Sequence, residues 1–163
     1  MNYSYQKMKS PIGNLYLVAD ADALCGIYFQ KHWPEEKRRM EGIREGTPAV
    51  LKQAKRQLSE YFAGKRKSFD LPLSLSGTPF QKRVWLSLSN IPFGQTRSYK
   101  QQAQSVHSPK ATRAVGRTNG LNPLCIVLPC HRVIGSDGSL TGYAGGLHIK
   151  KFLLQLEKES ANN

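Results

Sequence analysis

Apolar and polar positions follow two different rhythms along the chain. Asn14-Leu15-Tyr16-Leu17-Val18-Ala19 and Ala23-Leu24-Cys25-Gly26-Ile27-Tyr28-Phe29 are short apolar runs separated only by Asp20-Ala21-Asp22. This pattern predicts two strands joined as a hairpin. Residues 34–48 mix charges with Pro34, Gly42, Gly46 and Pro48, and read as a solvated loop or a short helix. Leu51, Ala54, Leu58, Tyr61 and Phe62 then recur at helical spacing, and Gly64 supplies a stop. The basic, Pro- and Ser-containing segment 65–77 reads as a link to a second domain.

From Thr78 onward the periodicity is helical. Thr78-Pro79-Phe80-Gln81 has the form of a capping box with proline at the first helical position. Phe80, Val84, Trp85 and Leu88 supply the buried face, and Ile91-Pro92-Phe93-Gly94 ends the helix. Two short helices follow, over 98–106 and 110–119, with His107-Ser108-Pro109 between them. Their length and tight joint are those of a helix-turn-helix. In the second helix Ala111, Ala114 and Val115 share one face, and Arg113 and Arg117 lie opposite. That arrangement suits a helix pressed against DNA, though an ordinary amphipathic helix with solvated arginines has the same pattern. Cys125-Ile126-Val127-Leu128 reads as a short buried strand leading into Pro129-Cys130-His131-Arg132-Val133, and Gly135-Ser136-Asp137-Gly138-Ser139 as a turn. The last helix begins near His148, with Ile149, Phe152, Leu153 and Leu156 buried and with Lys150 and Glu157 at one margin of the stripe. The expected fold class is α+β: a small β-rich N-terminal α/β domain over 1–75, followed by a helix-turn-helix domain over 76–163.

Charge narrows the function. Lys and Arg number 24 against 11 Asp and Glu, a formal +13. Such a field attracts polyanions, with nucleic acid the first expectation and a membrane surface or a general solubility role as the alternatives. No apolar run approaches the roughly 20 residues that span a bilayer, and Met1-Asn2-Tyr3-Ser4-Tyr5-Gln6-Lys7 lacks the apolar core of a signal peptide. A cytoplasmic location is therefore expected. The three cysteines, Cys25, Cys125 and Cys130, do not suggest a disulfide framework.

Cys25 and Cys125 read as small core hydrophobes. Cys130 ends an apolar run and precedes His131-Arg132, a cationic setting that favours the reactive thiolate. A reactive thiol needs a route for its proton. His131 reached through a water, and oriented by Glu157, would make a thiol–water–imidazole–carboxylate relay, a contact that spacing alone leaves open. Zinc binding is the rival reading, but the paired short spacings of structural zinc sites are missing.

The run Leu128-Pro129-Cys130-His131-Arg132-Val133 resembles the active-site signature of the O6-alkylguanine-DNA alkyltransferases, also called methylated-DNA–protein-cysteine methyltransferases. The resemblance extends to Ile91-Pro92-Phe93-Gly94, Ser98-Tyr99, Arg113-Ala114-Val115-Gly116, Asn122-Pro123, Gly142-Tyr143-Ala144-Gly145-Gly146 and Glu157, covering about residues 78–158. It implies an N-terminal domain of ribonuclease H-like type and a winged-helix-like C-terminal domain. The partner it implies is double-stranded DNA containing O6-alkylguanine, chiefly O6-methylguanine with O4-methylthymine as a further substrate. The damaged base is turned out of the stack, and its alkyl group passes irreversibly to Cys130 without a cofactor or a metal.

The resemblance also implies roles. His131 and Glu157 generate the thiolate, and Asn122 holds the cysteine turn. Tyr99 crowds the rotated phosphate and protonates the departing base. The carbonyls of Cys130 and Val133 read the guanine amino group, the backbone of Ala144 approaches O6, Tyr143 lines the alkyl pocket and Lys150 borders it. Arg113 enters the stack, while Ala111, Thr112, Ala114, Gly116 and Arg117 form the surface set against DNA. A monomer is expected. Ala144 stands where some relatives carry Ser, which bears on pocket polarity. Some relatives hold zinc in the N-terminal half; here Cys25 and His32 are the only Cys or His in the first 100 residues, so no such site is expected. Three other readings compete: a damage-binding module without chemistry, a cysteine hydrolase and a sequence-specific transcription factor. Cys130 argues against the first, and the arginine-bearing helix pair with the positive charge against the second. The third would require binding to undamaged operator DNA, and nothing indicates a dimer.

Overall fold

The first strand, β1 (Tyr3–Met8), is one that the hydrophobic pattern does not announce, because its apolar residues are tyrosines interleaved with polar ones. In the computed structural model, which describes residues 2–162, β1 pairs antiparallel with β2 (Leu15–Asp20), and β2 pairs antiparallel with β3 (Ala23–Phe29). The expected hairpin is present, its turn passing through Ala21 at φ 54°. The segment 34–48 is only partly loop: it holds the helix α1 (Trp33–Arg39) and a two-residue strand β4 (Arg44–Glu45) lying parallel to β1. The sheet order is thus β3-β2-β1-β4.

β2 is buried on both faces, from Leu15 through Ala19. Tyr16 and Val18 lie under Trp33, with the Tyr16 and Trp33 rings stacked at 4.6 Å. The opposite face, Leu15, Leu17 and Ala19, is left for α2 (Ala49–Phe62), which packs on β1, β2 and β3 through Leu51, Ala54 and Leu58. Gly26 in β3 is needed where it stands, since a Cβ there would fall 2.4 Å from the Tyr28 ring.

The chain forms two units, Met1–Ser76 and Gly77–Asn163. In the second, α3 (Pro79–Ser87) starts at the capping box read from the sequence: the Thr78 hydroxyl accepts from Gln81 N–H, and the Gln81 side chain accepts from Thr78 N–H. A cap of this kind contributes about 1 kcal/mol. α3 continues as a 3-10 turn over Leu88–Asn90. Then come β5 (Arg97–Ser98), α4 (Tyr99–Ser105) and α5 (Thr112–Gly120). α4 also has a complete capping box, Ser98 with Gln101.

The joint between α4 and α5 is a Schellman turn. His107 has φ 59°, His107 N–H donates to Gln104 O, and Ser108 N–H donates to Ala103 O. Trp85 Nε1 donates to Thr118 O at 2.8 Å, and the Gln102 and Asn119 side-chain amides exchange two hydrogen bonds, so α3, α4 and α5 lock together around Val84, Ala103, Val106 and Val115.

Two expectations for this unit are corrected. Ala111 is the N-cap of α5 and not part of it, and the buried face of α5 is Val115, Thr118 and Asn119. The final helix, α6 (Leu147–Ala161), buries Ile149, Lys150, Leu153, Glu157 and Ser160, whereas Phe152 is 39% exposed. Its inward face therefore carries two charged groups at its centre. Among the described residues no helix is long and apolar enough to cross a membrane.

Candidate active site around Cys130

Cys130 opens a single 3-10 turn, Cys130–Arg132, that runs into β6 (Val133–Ile134). β6 pairs in parallel with β5, Val133 opposite Arg97 and Ile134 opposite Ser98, so the cysteine turn and the start of α4 are fixed to one another. The approach to Cys130 is not the strand that the apolar run predicts. Ile126 sits at φ 77°, Leu128 N–H donates to Leu124 O, and Cys125 and Leu128 form an isolated bridge, which together make a tight buried turn. An apolar run of four residues cannot distinguish a strand from such a turn. Asn122 supplies what the turn lacks: its Nδ2 donates to Leu128 O at 2.7 Å, and its Oδ1 accepts from Leu124 N–H at 2.9 Å.

The three residues of the 3-10 turn point to different tasks. Cys130 is buried, with only 6% of its surface exposed. His131, fully buried, places Nε2 2.5 Å from Glu157 Oε2. Arg132 donates from Nε and Nη2 to the same carboxylate at 2.8 and 3.1 Å and from Nη1 to Ile91 O, with its guanidinium over the Phe93 ring. Gly94 N–H gives Glu157 a further donor at 3.3 Å. The Ile91–Gly94 stretch is thus a socket for this ion cluster.

Burial alone would raise the Glu157 carboxyl, but the hydrogen bonds and charges of His131 and Arg132 outweigh it and hold it down to about 2. An ionised Glu157 takes the proton of His131 Nε2 as a hydrogen bond and so fixes the tautomer, leaving Nδ1 as the basic nitrogen. Burial pushes the His131 pKa below its ordinary value against the pull of Glu157. Nδ1 is buried and has no protein hydrogen-bond partner among the described residues.

Lys150, on α6, is wholly buried and donates from Nζ to Val133 O at 2.6 Å and to Thr141 O at 2.8 Å. Desolvation pushes its pKa down to about 8, partly offset by the charge of Cys130. Tyr99, first residue of α4, donates its hydroxyl to the same Thr141 carbonyl at 3.0 Å. Tyr99 and Lys150 together tether the loop that carries Tyr143 and Ala144. The Cys130 thiol titrates below its ordinary value, first because the Cys125 thiol hydrogen-bonds to it, then through the Asn122 side chain and the Lys150 charge, with burial opposing.

Comparison with known proteins places this geometry. The model of the 6-O-methylguanine DNA methyltransferase DNA-binding domain matches residues 79–159, and that of the 6-O-methylguanine DNA methyltransferase ribonuclease-like domain matches residues 3–75. The chain belongs to the 6-O-methylguanine DNA methyltransferase family. It is similar to the constitutive methylated-DNA–protein-cysteine methyltransferase of Bacillus subtilis, with 47% identity over 98% of both chains. It is similar also to the methylated-DNA–protein-cysteine methyltransferase of Methanosarcina barkeri, with 48% identity over 96% of this chain and 98% of the other. The crystal structure of Mycobacterium tuberculosis OGT in complex with DNA superposes with a TM-score of 0.87 at 42% identity, covering 98% of this chain and 94% of that one.

In this methyltransferase-family chain the residues singled out from the sequence fall into two groups. Cys130, His131, Glu157, Asn122, Val133 and Lys150 are buried about one turn, while Tyr99, Tyr143 and Ala144 are half-buried beside it. Arg113 and Arg117 are exposed on α5, with Thr112, Ala114 and Gly116 half-buried and Ala111 half-buried at its cap. Gly116 leaves the Tyr99 ring free to approach, since a Cβ there would lie 3.7 Å from it.

Sequence reasoning missed Arg132, which is as deeply engaged with Glu157 as His131 is. It also missed Cys125, read as plain core. A buried arginine seven positions from any acidic residue in its own loop gives no local signal, and a cysteine in an apolar run reads the same whatever it faces. Lys150, expected at the border of a pocket, is instead a buried strut whose ammonium occupies the Val133 carbonyl.

Proposed function

We propose that this protein repairs DNA by direct reversal, turning O6-alkylguanine out of the duplex and taking its alkyl group onto Cys130. The observation that carries the reading is the Glu157–His131 pair behind a buried, acidified thiol at the signature turn. One water between Cys130 Sγ and His131 Nδ1 carries the thiol proton to the imidazole, and Glu157 stabilises the imidazolium that forms. The thiolate attacks the alkyl carbon in line. The new S–C bond forms as the C–O6 bond breaks, and the electron pair leaves with guanine, which takes a proton from the Tyr99 hydroxyl. The product thioether has no leaving group that regenerates the thiol, so each molecule acts once.

Base recognition uses the carbonyls of Cys130 and Val133 for the guanine amino group and the Ala144 backbone for O6; Val133 O retains a second lone pair beside the one that Lys150 occupies. Tyr143 lines the alkyl pocket. α5 lies against the DNA with Arg113 in the stack in place of the lesion, and Ala111, Thr112, Ala114, Gly116 and Arg117 form the contact surface. The acidic residues of the second unit are Asp137, Glu157 and Glu159, and Glu157 is buried, so Lys and Arg dominate its surface charge. The protein works as a monomer in the cytoplasm, on duplex DNA.

Titrating a fixed amount of protein with excess duplex carrying O6-methylguanine tests the single use. Repair is expected to stop at one lesion per protein, and continued turnover would contradict the proposal.

A further inference from the structure

Cys125 is 3% exposed and sits in the turn that Asn122 clamps. Its Sγ lies 3.7 Å from the Asn122 carbonyl oxygen and also makes a hydrogen bond with the Cys130 sulfur. A thiol has a single proton to donate, so it serves one of these acceptors at a time. While Cys130 is protonated, the carbonyl is the stronger acceptor. Once Cys130 is ionised, the order reverses, because hydrogen bonds to an anion are about twice as strong as neutral ones. The Tyr143 hydroxyl faces the Cys125 sulfur and polarises it further in the same sense.

We propose that Cys125 is a positioning residue for alkyl transfer: its S–H turns from the Asn122 carbonyl to the Cys130 sulfur as that sulfur loses its proton, and holds the thiolate in line for attack. The inference rests on the alkyl-transfer reading of Cys130.

The surroundings agree with that division of labour. Cys125 is pushed well above the ordinary thiol range, first by its hydrogen bond to Cys130 and then by burial, so it stays protonated and remains a donor. Around Cys130, α6 contributes the Lys150 ammonium and the Glu157 carboxylate, the 3-10 turn contributes His131 and Arg132, and the loop before it contributes the Asn122 amide. Arg132 offsets the Glu157 charge and burial keeps His131 neutral, which leaves Lys150 as the cation acting on the sulfur and Cys125 as its nearest donor.

The test compares wild type with Cys125→Ser, which keeps a donor, and with Cys125→Ala and Cys125→Val, which remove it. Val nearly fills the thiol's volume, so it carries the comparison if the smaller residue fails to fold. The readout is the rate of iodoacetamide addition at Cys130 against pH, resolved by peptide mass. Because iodoacetamide needs no DNA, this outcome is separate from that of any repair assay. The expected result is a midpoint about one pH unit higher in Cys125→Ala and Cys125→Val, an approximately tenfold slower reaction below the midpoint, and a Cys125→Ser profile that stays with wild type. Methyl transfer from duplex O6-methylguanine should slow in the same variants at the same pH and recover as pH rises. An unchanged midpoint in folded Cys125→Ala or Cys125→Val, or a loss of rate equal at every pH, would overturn the proposal.

Discussion

Glu157 Oε2 lies 2.5 Å from His131 Nε2 with both side chains closed to solvent, and Arg132 grips the same carboxylate from the other side. The carboxylate thus does two things at once: it sets the imidazole tautomer and compensates a buried guanidinium. Glu157→Gln keeps the shape and removes the charge. Breaking a buried pair by removing one partner costs about 3–5 kcal/mol, and urea unfolding should show a loss in that range together with much slower methyl transfer. A variant of near wild-type stability and rate would contradict both roles.

The same carboxyl sets an acid limit. Its folded pKa, about 2, lies below the ordinary 4.5, so its contribution to stability is complete above pH 4.5 and is lost as pH falls towards 2. Wild-type unfolding free energy should fall across that window, and in Glu157→Gln the fall should be shallower. Parallel curves for the two proteins would exclude Glu157 as the source.

Asn122→Ala strands Leu124 N–H and Leu128 C=O inside the cysteine turn. Each buried group left without a partner costs about 1–3 kcal/mol. Urea unfolding should register a loss of at least that size, with slower alkylation of Cys130 as the turn loosens. Unaltered stability would show that the turn holds without the amide.

Arg113 is exposed on α5 and distant in role from the thiol chemistry. Arg113→Ala should impair repair in duplex DNA while leaving reaction with free O6-alkylated guanine base near the wild-type rate. Rates measured on both substrates decide it, and equal loss on both would refute insertion into the stack.

The legibility of this molecule in its sequence follows the range of the interactions concerned. Strong local signals, such as the β2–β3 hairpin, the period of α2 and the capping box at Thr78, stand in the structure where the pattern puts them. β1 escaped because Tyr3 and Tyr5 carry its apolar face among polar neighbours, and β4 because two residues make no pattern at all. The turn at Ile126 was hidden by an apolar run that would suit a strand equally well. In α6 the helical wheel placed Lys150 and Glu157 at a margin, yet both are buried at its centre, since Thr141, Val133, His131 and Arg132 satisfy them from far along the chain. A wheel counts hydrophobicity and cannot count distant partners. Family likeness supplied the names of the site residues; the partners that Arg132 and Cys125 find appear only when the chain is folded.

The central claim is tested most directly by the intact mass of the protein after mixing with duplex DNA that carries one O6-methylguanine, with peptide mapping to locate the change. The account predicts gain of one methyl group on Cys130 and none in Cys130→Ser. An unchanged mass with the lesion still bound, or a methyl group on another residue, would contradict it.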